Sequence, residues 1–399
     1  MERKGEKAMK KVAILLVAAL MLSSFMAGCS GDKANDENAL PEKIIIGVFE
    51  PLTGTNAADG KLEKQGIDLA HKLYPTVTID GKEIPVELRY VDNKSDKIES
   101  ENAAKKLVYG FGANIVLGSW GSSNSIAAGP VFKESQVPAI GTSCTNPLVT
   151  FGNDYYFRVC FTDSFQGKVM ANYAFKEGGY RKIAVIQEDS SIYSVSLVKL
   201  FTENFKLLTG DENSVLNAGS YNTGDNDFTA QLTAIKDSDV QAIFFPGSFT
   251  ESALLMKQAR QLGITLPFLG GDTWENPEVI RLAGEAAEGA VYSGFYDPAA
   301  PLTERGTEFL DAFAAEYGKD ELAAGVTALG FDAYLLALET IQKAGTADGN
   351  TLRDTLAATK DFEGATGFMT LDENGDAVKP AVIKTIQGGQ YVYKSSVEP

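Results

Sequence analysis

Three short polar runs carry the side chains best suited to holding a small charged molecule, and each follows an apolar run of strand character. After "NIVLG" comes Ser119-Trp120-Gly121-Ser122-Ser123-Asn124. After "VPAIG" comes Thr142-Ser143-Cys144-Thr145-Asn146-Pro147, and after "LPFLGG" comes Asp272-Thr273-Trp274-Glu275-Asn276-Pro277. Hydroxyls and free N–H groups at the start of a helix suit a carboxylate. Glycine lets a backbone approach a ligand closely, Trp120 offers an apolar wall, and Asp272 is placed to accept an ammonium. The same residues also suit ordinary helix caps, Ser122 or Ser123 in the first run and Asn276 in the third.

Arrangements that would carry catalysis are weaker. Gly54 to Lys61 resembles a phosphate loop, but its glycines are one residue too far apart and Leu62 stands where a Ser or Thr would hold magnesium. The run "DENGD" (372–376) lacks the ligand spacing of a calcium loop and reads as a turn. There is no G-x-S-x-G elbow, and Asp225 with Asp227 lies in a polar, solvated stretch. His71 is the single histidine, which excludes His-based triads and multi-His zinc sites within one chain. The three cysteines, Cys29, Cys144 and Cys160, form no C-x-x-C pair. No catalytic residue, metal or cofactor is expected.

The elements that must position the three runs follow from periodicity. Buried-strand runs occur at 43–49, 86–92, 113–119 and 137–142, with helical patterns near 61–74, 97–110 and 124–136. The rhythm restarts after 154–163, with strands at 181–189, 239–248, 266–272 and 288–296 and a helix at 250–263. A long amphipathic helix spans 326–345 and stops at Gly345, and 381–394 alternates as a final strand pair. Asp80-Gly81 signals a tight hairpin. This β-α-β-α order implies α/β architecture with two doubly wound, mainly parallel sheets. In such sheets ligands bind beyond the carboxyl ends of the strands, where the three polar runs sit.

With 399 residues, 44% hydrophobic and 22% charged, the composition is that of a globular chain of two or three folding units. The net charge of −17 argues against nucleic acid as a partner. Arg3, Lys4, Lys7, Lys10 and Lys11 precede the apolar run Val12 to Leu22, which has signal-peptide length. Met26-Ala27-Gly28-Cys29 then resembles a bacterial lipoprotein cleavage box, with Met26 where leucine is more usual, and Cys29 as the lipidated residue. Residues 30–42 read as a polar tether. The remainder is expected outside the cytoplasm, held to the membrane by lipid. In that oxidising space Cys144 and Cys160 either pair or stay as buried free thiols.

Taken together the motifs resemble the periplasmic Leu/Ile/Val-type amino-acid-binding proteins of ABC transporters. The likeness runs from about Lys43 to the C-terminus, through "IGVFEPLTGTNAADG" (46–60), the two loops after "IVLG" and "PAIG", "YYFRVCFTDSFQG" (155–167), "YNTGDNDFTAQLTAIK" (221–236) and "PFLGGDTWENPEV" (267–279). It implies a type I periplasmic-binding-protein clamshell of two lobes joined by three crossovers near 160–165, 293–298 and 366–372. Lobe 1 would be 43–162 plus 296–368 and lobe 2 163–295 plus 369–399. It also implies roles. Ser122 and Thr145 would bind an α-carboxylate, the Ser143 carbonyl and Asp272 an α-ammonium. Tyr193 would close over the ligand, and Trp120 would line its side-chain pocket. The implied partners are a small amino-acid ligand and transporter permease subunits, with the chain a monomer.

Three features depart from that pattern. Ser248 and Phe249 stand where a tyrosine is usual, Asp59 where some branched-chain binders are aromatic, and Asp272 replaces a longer acid. A polar, small or aromatic ligand side chain fits these changes. The alternative is the same clamshell as a sensor or binding protein for an amide or urea-like ligand.

Overall fold

The run IIIGVFE forms β1 (Ile44–Glu50), buried along nearly its whole length. A strand so apolar on successive residues has no solvent face, which suits the centre of a parallel sheet covered on both sides. β1 takes that place. It pairs in parallel with β3 (Lys82–Asp92), Ile46 opposite Leu88, and with β4 (Ile115–Leu117), Ile46 opposite Ile115. β2 (Thr76–Ile79) folds antiparallel onto β3 through Asp80 and Gly81, at φ 48° and 75°, the positive values a two-residue hairpin requires. With β5 (Ala139–Gly141) and β6 (Tyr156–Arg158) the first sheet has six strands in the order β2-β3-β1-β4-β5-β6.

The second sheet begins with β7 (Ile183–Glu188), flanked in parallel by β8 (Val215–Tyr221) and β9 (Ala242–Phe244). β10 (Phe268–Gly270) and β11 (Val291–Gly294) extend it, again parallel. β12 (Phe362–Gly364), β13 (Gly367–Leu371) and β14 (Ala377–Val378) form a separate three-stranded antiparallel sheet. "DENGD" is the turn between its last two strands. The C-terminal hairpin of β15 (Ala381–Gln387) and β16 (Gln390–Val397) completes a seven-stranded sheet, β16-β15-β11-β10-β9-β7-β8, with both added strands antiparallel. The architecture is therefore two α/β lobes, each a parallel sheet with an antiparallel edge. Residues 362–378 stay together, and Arg158 N–H donates to the Gly375 carbonyl at 3.0 Å, so the chain joins the second sheet only at Ala381.

This computed structural model describes residues 40–299 and 303–399. Residues 1–29, with the lipidation candidate Cys29, and nearly all of the tether lie outside the described residues. Glu42–Pro399 form one compact unit. The helix Ala57–Leu73 starts inside the glycine-flanked run 54–61, which is thus a helix entry. It packs closely on the helix Gly325–Ala344. A Cβ on Gly66 would lie 1.8 Å from the Thr327 carbonyl oxygen, and one on Gly330 2.3 Å from that of Glu63. These two glycines let the helix backbones touch, which fixes Glu63 beneath the strand ends of the first sheet. His71 is half-buried here, with Nδ1 2.9 Å from the Tyr334 hydroxyl. Gly345 ends the second helix at φ 65°, as expected for a left-handed stop.

Candidate ligand-binding cleft

The polar runs after β4, β5 and β10 converge on one cavity of about 470 Å³. Trp120, Ser122, Ser143, Tyr193 and Asp272 all line it. Thr145 is not among the lining residues; its hydroxyl is buried and has no hydrogen-bond partner among the described residues.

The first run leads into the helix Ser122–Ser135, whose N-cap is Gly121 and which has no capping side chain. The cap reading for Ser122 or Ser123 is therefore not realised, and their hydroxyls serve elsewhere. Ser122 Oγ accepts from Asn146 N–H at 3.1 Å, tying the first run to the second. Ser123 Oγ accepts from Ile192 N–H at 3.3 Å, and Asn146 Nδ2 donates to the Ile192 carbonyl at 3.3 Å. Both bonds reach the start of the helix Ile192–Thr209, which belongs to the other lobe. Asn276 does cap a helix, accepting from Glu278 N–H at 3.0 Å.

The second run is fixed from below by an arginine that the sequence did not single out. Arg158, fully buried on β6, donates to the carbonyls of Cys144 at 2.6 Å and Asn146 at 2.9 Å and to the Thr150 hydroxyl at 2.9 Å. Its Nε pairs with Asp376 at 2.6 Å. A planar fork of five donors suits such a task, since it can satisfy several fixed acceptors at once. Cys144 and Cys160 are both buried free thiols.

Asp272 opens a short 3₁₀ turn directly after β10. Its Oδ1 accepts from Gln166 Nε2 at 2.6 Å and from the Tyr193 hydroxyl at 2.9 Å. Tyr193 can reach it because residue 271 is glycine: a Cβ there would lie 2.2 Å from the tyrosine oxygen. Burial, opposed by those hydrogen bonds, holds the Asp272 carboxyl at about 6.

More carboxyls lie behind the cleft. Glu63 accepts from Thr142 Oγ1 at 2.6 Å and from the Ser143 hydroxyl. Glu50 accepts from Trp120 N–H at 2.7 Å. Burial pushes Glu63 up to about 7 and Asp59 and Asp163 to about 8, and lifts Glu50 well above the usual carboxylate range. Neither these four acids nor Asp272 has a salt-bridge partner among the described residues, which is costly unless protons or a bound cation offset it.

Comparison with known proteins fits this geometry. The family model described as periplasmic binding protein matches residues 43–390. The chain belongs to the periplasmic binding protein family. Within it the chain is of the Leu/Ile/Val type. It is 30% identical over 336 residues to the Leu/Ile/Val-binding protein BraC3 of Rhizobium johnstonii, covering 84% of this chain and 88% of that protein. The leucine-binding protein LivK of Thermotoga maritima superposes with a TM-score of 0.85 at 35% identity, covering 89% of this chain and 99% of its own. LivJ of Streptococcus pneumoniae, solved in complex with isoleucine, gives 0.81 at 30% identity, with 90% and 100% covered. This periplasmic binding protein is thus a two-lobed, extracytoplasmic solute-binding protein and not an enzyme.

Sequence reasoning missed Arg158, Gln166 and Glu63, and named Asn146 only as part of its polar run, without a role. Arg158 and Gln166 lie in "YYFRVCFTDSFQG", a segment read as a passage between lobes and not as support for the site. Glu63 follows the helix start by six positions, where an acid normally faces water.

Proposed function

We propose that this chain is a lipid-anchored binding protein, attached through Cys29, that captures an amino acid between its lobes and delivers it to the permease of an ABC transporter. The observation that carries the reading is Asp272: a buried carboxylate in the cleft wall with no cation beside it among the described residues. An α-ammonium would supply that charge, assisted by the Ser143 carbonyl. Ser122 and the unpartnered Thr145 hydroxyl would take the α-carboxylate, Trp120 would wall the pocket, and Tyr193 would bring the second lobe onto the ligand. Relatives named for leucine, isoleucine and valine support an amino acid as ligand. Contacts from both lobes favour the closed form, which a permease can read by shape.

The lobe division belongs to the same proposal. Boundaries near 162 and 295 lie between the two sheets, and the third passage, expected near 366–372, is redrawn between Val378 and Ala381, where the chain enters β15.

Calorimetric titration tests the zwitterion. The amino acid that binds should lose binding when its amine is acetylated and when its carboxylate is esterified. Retained affinity for either derivative would contradict the assigned roles.

A further inference from the structure

Beyond Asp272 the cleft continues to the end of β7, where Glu188 lines the same cavity. Glu188 is 1% exposed. Its Oε2 accepts from Ser248 N–H and Ser248 Oγ, each at 3.1 Å, and Oε1 accepts from the Thr223 hydroxyl. All three partners are neutral donors, and Ser248 is the N-cap of the helix Phe249–Gln261, whose positive end favours an anion. Oε1 keeps acceptor capacity, since a carboxylate oxygen can take two hydrogen bonds. Glu251, 4% exposed, lies close enough to repel it, and neither acid has a salt-bridge partner among the described residues. The surrounding wall is polar too: Ser190, Thr223 and Ser248 line it. An aliphatic side chain placed here would strip water from Glu188 and return no hydrogen bond, so it would bind more weakly than a side chain that ends in a donor.

We propose that the ligand's side chain ends in a hydrogen-bond donor received by Glu188, so that the cleft takes a polar amino acid with an amide, hydroxyl or cationic end rather than a branched aliphatic one. The inference rests on the proposed binding of the α-ammonium at Asp272 and adds the identity of the other end.

The test is a calorimetric titration of the purified full chain, unfolded and refolded to strip bound ligand. The probes are arginine, lysine, glutamine, asparagine, serine and threonine against leucine, isoleucine and valine. The tightest binder should carry a donor, and Glu188→Ala should weaken it by about tenfold or more, the effect of losing a hydrogen bond to a charged group. Tightest binding by leucine, isoleucine or valine would overturn the inference and leave the amino-acid reading standing, as would a polar ligand that binds Glu188→Ala as well as the parent chain. Silence with every amino acid would overturn both. Should Glu188→Ala fail to fold, the ranking on the parent chain decides.

Discussion

Asn276 Nδ2 donates to Asp59 Oδ1 at 2.5 Å, joining the helix Ala57–Leu73 over the first sheet to the loop after β10 in the second. Both side chains are buried, and the other Asp59 oxygen has no hydrogen-bond partner among the described residues. Burial pushes the Asp59 carboxyl up to about 8. Its folded pKa thus lies above the unfolded value near 4, so the folded state binds more protons between those limits and stability falls as pH rises through them. Asp163, at about 8, and Glu63, at about 7, act in the same direction. Thermal melts of the unliganded chain should therefore show a lower Tm at pH 9 than at pH 5. Asp59→Asn should recover part of that loss at pH 9 and change little at pH 5. A parent Tm that climbs from pH 5 to pH 9 would contradict the burial of these acids.

Asp272 should dominate affinity. Asp272→Ala is expected to weaken amino-acid binding by ~3–5 kcal/mol, the usual cost of leaving a buried charge without its partner. The unliganded carboxyl sits at about 6. A bound ammonium favours its ionised form, so binding near pH 6 releases protons and affinity rises with pH up to that point, then levels off. The buried acids Asp163, Glu63 and Glu275 nearby add to the field, so the midpoint reports the cluster. Titrations in buffers of different ionisation enthalpy measure the proton release directly. Uptake of protons on binding would remove Asp272 from the ammonium site.

Arg158 is a positioning residue for the loop that carries Ser143 and Thr145. Arg158→Met leaves Asp376 and two loop carbonyls without their donor and should cost about 3 kcal/mol of stability, together with a loss of affinity larger than that of an equally destabilising core substitution. Melting and binding measured side by side on Arg158→Met and Phe201→Ala separate the two effects. Equal affinity in both variants at equal stability would assign Arg158 to the fold alone.

Much of this was legible in the sequence because parallel strands buried on both faces are apolar without alternation, as in β1 and β10. The hairpin at Asp80-Gly81 was legible because only a few residue pairs accept two positive φ angles. The three polar runs were found for a related reason: hydroxyl and acidic side chains directly after such strands have few structural uses besides caps. The small sheet β12–β14 escaped notice because its strands span two to five residues and carry no clear period. The buried charges behind the cleft were invisible for a different reason. Arg158 and Glu63 resemble solvated residues in one dimension, and only tertiary contacts made over long sequence separations show what they hold, as with Thr142 and Glu63 or Arg158 and Asp376.

The most direct test of the central claim is a thermal melt of the chain, after unfolding and refolding to remove any carried ligand, against each of the twenty amino acids. A ligand that binds only the folded state at a hundred times its Kd adds about 2.7 kcal/mol, roughly 3 °C in Tm for a chain of this size. A rise of that order with one or a few amino acids is the expected result. A flat response to all twenty would contradict amino-acid binding in this cleft.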